Sequence, residues 1–95
     1  MPKLLKLSPS QLVTISKALA DPRRQQILKQ IGQKRAGVSC ANIRACQSVT
    51  APTLSHHIRE LESAGLVCIE RRGKFAHLTM QRDVLDAYID YLGTL

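Results

Sequence analysis

His56 and His57 stand side by side in the stretch TLSHHIRELESAGL, and Glu60 follows His56 four positions later. Adjacent histidines can ligate a metal, exchange protons or hydrogen-bond to nucleic acid. On a helix, successive residues point about 100° apart, so the two rings face different ways and are not expected to chelate one ion. His56 and Glu60, one turn apart, could act as a base with an orienting carboxylate. No nucleophile, Gly-rich phosphate loop or metal set accompanies them, and a surface contact explains the pair equally well. The thiols are the other reactive groups. Cys40, Cys46 and Cys68 are odd in number and form no C-x-x-C, which argues against a disulfide framework or a structural zinc site. Cys40 and Cys46 are offset by about 240° on a helix, so they share no face. Cys40, at a helix start, is a candidate redox thiol. Cys68 lies in a strand-like apolar run and is expected to fill the core.

These residues sit in a chain of 95 residues, enough for one domain spanning 1–95 with one modest core. With no Trp, one Phe and two Tyr, that core must be built from Leu, Ile, Val and Ala. The net charge of +7 is uneven. Residues 1–38 hold eight Lys/Arg against one Asp, whereas residues 39–95 hold six against six Asp/Glu. Such a basic balance favours an anionic partner, most often nucleic acid, although a solvated basic surface is the plainer explanation. The apolar run LVCI is too short to span a membrane. No secretory signal is visible in MPKLLKL, and the unpaired cysteines fit a reducing cytoplasm.

The positioning elements follow from caps and periodicity. Ser8-Pro9 opens a helix carrying Leu12, Ile15 and Leu19 on one face. Asp21-Pro22 ends it and starts a second, with Ile27, Leu28 and Ile31 inward and a stop at Gly32. Ser39 caps a short third helix, CANIRACQ, and SVT makes a tight connection. Thr50 caps a fourth helix with Pro52 in its first turn, an apolar stripe of Leu54, Ile58 and Leu61, and an end at Gly65. LVCIER and KFAHLT read as strands of a hairpin turning at Gly73. From about Arg82 a last helix returns, with Val84, Leu85, Tyr88, Ile89 and Leu92 forming a stripe wide enough to bury against a second subunit.

The resulting mainly α order, ααααββα, is that of a winged helix-turn-helix, whose second motif helix enters a DNA major groove. The outward face of the fourth helix bears small hydrogen-bonding groups near its N-terminus, suited to base edges and phosphates. Thr50, Ala51, Thr53, Ser55, His56 and Arg59 are therefore expected at DNA, joined by Arg71, Arg72 and Lys74 of the hairpin. His57, on the flank beside Ile58, is expected to pack rather than bind.

Three segments in order, KALADPRRQQIL, TAPTLSHHIRELESAGLV and RRGKFAHLT, resemble the ArsR/SmtB-type bacterial repressors over most of the chain. The resemblance implies a homodimer formed through the first and last helices, a two-fold operator, and repression relieved by an effector. The chain departs from metal-sensing members, which often carry a Cys-x-Cys in the third-helix region or Asp and His pairs on the last helix. Here the third helix offers Cys40 and Cys46, and the last helix Asp83, Asp86 and Asp90 without His, and no ligand-bearing tail is expected. No metal site, catalytic residue or resident cofactor is expected. A thiol-based signal acting on Cys40, Cys46 or Cys68, a metal or metalloid, an effector-independent regulator and a protein- or RNA-binding module all remain open at this level.

Overall fold

The computed structural model describes residues 6–46 and 49–95. Helix α1 spans Pro9–Ala18, α2 Pro22–Gly32, α3 Cys40–Cys46, α4 Ala51–Ser63 and α5 Arg82–Gly93. Strands β1 (Val38–Ser39), β2 (Val67–Arg72) and β3 (Phe75–Met80) form one antiparallel sheet in the order β1-β3-β2. The expected helices and hairpin are present. The addition is β1, two residues that pair with Leu78 and His77 and fasten the approach to α3 against the hairpin.

Local chemistry sets the helix ends. At α1, Ser8 Oγ accepts from the Gln11 backbone while the Gln11 side chain accepts from the Ser8 backbone, a reciprocal capping box. Asp21 accepts from the Arg23 backbone at 2.8 Å, and this bond holds its carboxyl below the usual carboxylate range. Ser39 Oγ accepts from the Asn42 backbone and so caps α3. The connection expected after α3 includes Ser48, which lies outside the described residues, as do Gln47, the N-terminal MPKLL and the Cys46 side chain.

The core draws on every helix. Ile15, Ile27, Ile31, Ile43, Leu54, Leu61, Leu66 and Leu78 are all fully buried, and Tyr88 of α5 joins them. The Tyr88 hydroxyl meets Ser16 Oγ at 2.7 Å, tying the last helix to the first. Val84 and Leu85 pack partly against this core, whereas Ile89, Tyr91, Leu92 and Leu95, toward the C-terminal end, stay exposed, as does Val13 of α1. The last helix is thus packed over its first two turns, and its apolar stripe continues unpartnered toward the C-terminus. Among the described residues, no helix is long and apolar enough to cross a membrane.

Cys68 corrects the sequence expectation: it is exposed and does not fill the core. The run around it is apolar, yet β2 alternates, so Val67 is buried and Ile69 half-buried while Cys68, paired with Thr79, points to the other face.

Candidate nucleic-acid interface

Helix α4 is built to show one polar face. Thr50 is extended (φ −72°, ψ 158°), and its Oγ1 accepts from the Thr53 backbone at 3.4 Å and donates to Thr53 Oγ1 at 2.9 Å. The two hydroxyls are therefore fixed at the helix start, where free backbone N–H groups favour an anion. Pro52, locked at a helical φ, sits in the same turn. Leu54, His57, Ile58 and Leu61 turn inward. Thr50, Thr53, Ser55, His56 and Arg59 are all exposed, and Ala51 is half-buried at the helix start.

The two histidines divide as their angular positions require. The His56 side chain is 64% exposed, and its Nε2 stands 3.8 Å from Glu60 Oε1. His57 is only 8% exposed, and its Nδ1 lies 3.3 Å from an Arg24 nitrogen. Burial holds the His57 ring below the ordinary histidine range. Their ring centroids are 5.9 Å apart and tilted by 49°, so they share no coordination point.

The hairpin tip is the second basic element. Gly73 takes φ +61° in the tight turn, and Arg71, Arg72, Lys74 and Phe75 are exposed around it. Arg72 Nε donates to Glu70 Oε1 at 2.8 Å, which holds the Glu70 carboxyl below its usual range. Arg71 and Lys74 make no ion pair among the described residues, which leaves them open to phosphate. Phe75, 66% exposed at the tip, was not singled out in the sequence. An apolar side chain beside cations suits a sugar edge or a groove wall. The only signal for it was the placement of the one Phe directly after the turn.

Between α4 and the hairpin runs a groove of about 430 Å³. Ser55, Arg59 and Glu62 line one side, Arg71 and Ala76 the other, over a floor of Ile58, Ile69 and Leu78. Half-buried Cys40 opens into this groove, a proximity that sequence spacing did not reveal. Cys68 is not part of it. Among the described residues, no three His, Cys, Asp or Glu side chains cluster as a metal site.

Known proteins share this arrangement. Residues 19–68 match the family model of a helix-turn-helix domain. The arsenical resistance operon repressor of Staphylococcus xylosus is 32% identical over 85 residues, covering 84% of this chain and 75% of the relative. The transcriptional repressor SdpR of Bacillus subtilis is 27% identical over 78 residues, covering 82% and 84%. Among solved structures, an ArsR family transcriptional regulator superposes with a TM-score of 0.81 at 23% identity, covering 95% of this chain and 91% of the other. The homodimeric winged helix-turn-helix DNA-binding domain of a possible ArsR-family regulator from Mycobacterium bovis gives 0.74 at 24% identity, covering 96% and 89%. All are regulators by name, which sets aside the acid–base reading of His56 and Glu60. With the helix-turn-helix model spanning residues 19–68 and a repressor relative at 32% identity, the chain belongs to the ArsR-type winged helix-turn-helix family of DNA-binding transcriptional regulators.

Proposed function

We propose that the chain is a homodimeric repressor that binds an inverted-repeat operator in the cytoplasm. Helix α4 enters the major groove. Thr50, Ala51, Thr53, Ser55, His56 and Arg59 contact bases and phosphates there, while Arg71, Arg72 and Lys74 of the wing neutralise the flanking backbone. The observation that carries this reading is the polar N-terminal face of α4 exposed beside a cationic hairpin tip. The unpartnered apolar face of α5 together with Val13 of α1 supports a dimer through the first and last helices, as does the homodimeric solved relative.

The proposed release signal is thiol-directed: an oxidant, a reactive sulfur species or a thiophilic metalloid acting on Cys40, with Cys46 and Cys68 as further thiols. Cys40 supports it best, since it opens into the groove shared by Arg59 and Arg71. An adduct there would separate the recognition helix from the wing. The relative from Staphylococcus xylosus is named for arsenical resistance, in keeping with a thiophilic effector.

Selection of bound duplexes from a random pool tests the operator. Enriched sites should contain inverted half-sites roughly one helical turn apart, ~10 base pairs. Enrichment without two-fold symmetry would overturn the dimeric reading, and equal binding of single-stranded RNA would overturn the duplex one. Mass spectrometry of the three thiols after peroxide, persulfide or arsenite, paired with operator affinity, tests release. Unchanged affinity with all thiols modified would remove the thiol signal.

A further inference from the structure

A second concavity, of about 510 Å³, lies away from the recognition helix. Lys34, Arg35, Arg82, Met80 and Gly32 line it. It shares no residue with the groove beside α4. Met80 ends β3 and Phe75 begins it at the wing tip, so the hollow stands on the order of 17 Å from that tip along the strand.

Three cations converge on this hollow from two parts of the chain. Lys34 and Arg35 come from the loop after α2, and Arg82 opens α5. Among the described residues, no carboxylate pairs with Lys34 or Arg35. Arg82 Nε meets Asp86 Oδ1 at 3.3 Å and Nη1 donates to the Met80 sulfur at 3.8 Å, a weak acceptor, which leaves further guanidinium N–H groups for another acceptor. The site therefore holds three positive charges against one neighbouring negative charge. Like charges around one cavity repel, and an anion seated between them would relieve that repulsion.

Gly32 packs closely against the end of the Met80 side chain. The loop is pinned around Arg35: the Gly37 backbone donates to the Lys34 carbonyl at 2.9 Å, and His77 Nε2 stands 2.6 Å from the Ala36 carbonyl. The Met80 thioether supplies an apolar wall. A cavity of this size falls within the range of metabolite sites, roughly 300–1,000 Å³.

We propose that Lys34, Arg35 and Arg82 form a binding site for a small polyanion bearing phosphate groups, separate from the DNA-binding surface. Arg35 and Arg82 grip the oxyanions through paired N–H groups, and Lys34 adds a point charge. Phosphate on a free metabolite and phosphate in a DNA backbone offer the same chemistry, so the test separates them.

Calorimetric titration of the full chain with inorganic pyrophosphate, in low salt and without DNA, reads the site directly. Saturable binding is expected, weakened at least tenfold by Arg35→Gln and by Arg82→Gln. Lys17→Gln, which removes one charge from α1, should leave it unchanged. Thermal unfolding of the two arginine variants should match the parent, since both side chains are exposed. No saturable heat at millimolar pyrophosphate would overturn the proposal, as would equal weakening by Lys17→Gln. A third result would do so too: Arg35→Gln and Arg82→Gln lowering duplex affinity while pyrophosphate binding stays intact. The patch would then be a DNA-backbone contact.

Discussion

Arg24 of α2 donates a hydrogen bond to Nδ1 of His57 in α4 over 3.3 Å. Arginine has no acceptor, so Nδ1 must be unprotonated and the neutral ring carries its hydrogen on Nε2. The same guanidinium donates from Nε to the Ala18 carbonyl at 2.7 Å and lies 3.9 Å from Asp21. One arginine thus joins the end of α1, the start of α2 and the underside of the recognition helix.

Acid should loosen this joint. Desolvation holds the folded pKa of His57 below its ordinary value, with the Asp21 carboxylate opposing and Arg24 adding to the shift. The unfolded chain therefore takes up a proton first as pH falls. The contribution of His57 to stability is full above its unfolded value, about 6.5, and is lost progressively as pH falls from there through the lower folded pKa. Urea denaturation between pH 7.5 and 5 should show stability declining. His57→Leu, which cannot protonate, should decline less steeply over that window. Equal slopes for the two proteins would mean that His57 is not the titrating group.

His56, on the other side of the same helix, should behave in the opposite way. Its side chain is mostly exposed, and its contact with Glu60 is a loose surface pair. His56→Ala should leave thermal stability nearly unchanged while relaxing preference at one base position in each half-site. Loss of a base contact is worth on the order of 1–3 kcal/mol of discrimination. Competition between the selected operator and single-base variants measures it. An unaltered preference profile would move the base reading to Thr53 and Ser55.

Arg72 is held by Glu70, and this pairing sets a direction for the wing. Glu70→Gln should free the guanidinium for phosphate and remove a negative charge from the DNA side. Affinity should rise a few-fold for all sequences, and the logarithmic salt slope should steepen by up to about 0.9, the value of one added phosphate contact. Lys74→Gln should do the reverse by a similar amount. Both are read from binding isotherms across a salt series. Weaker binding by Glu70→Gln would mean that the ion pair orients Arg72 productively.

The parts legible in the sequence were those encoded locally. Ser8, Asp21, Ser39 and Thr50 act on backbone groups two or three residues away, so their capping role is visible without tertiary knowledge. The inward stripe of α4 and the turn at Gly73 are equally local. The parts that were not legible depend on partners far along the chain. Two residues of β1 carry no periodicity, and their pairing with β3 is decided by where α2 and the hairpin dock. Cys68 looked buried because its neighbours are apolar, but strand alternation turns it outward. Cys40 shares a groove with Arg71, and Arg35 a cavity with Arg82, only through the sheet. His57 was readable as a packed residue, yet its partner Arg24 was not.

The apolar side of α5 gives the last prediction. Ile89 is 51% exposed and Leu92 45%, although both lie on a helix whose Ala87 and Tyr88 are buried. Exposed large apolar residues grouped on one face favour association, and in a dimer through the first and last helices they would be covered. Ile89→Glu places a charge on that face without touching the buried one. Sedimentation should shift from dimer to monomer, and far-ultraviolet circular dichroism should retain the helical signal. The unfolding temperature of the parent should rise with protein concentration, as linkage to dimerisation requires, while that of the variant should not. Operator affinity should fall steeply, since each monomer would bind one half-site alone. A variant that remains dimeric with full operator affinity would place the subunit contact elsewhere.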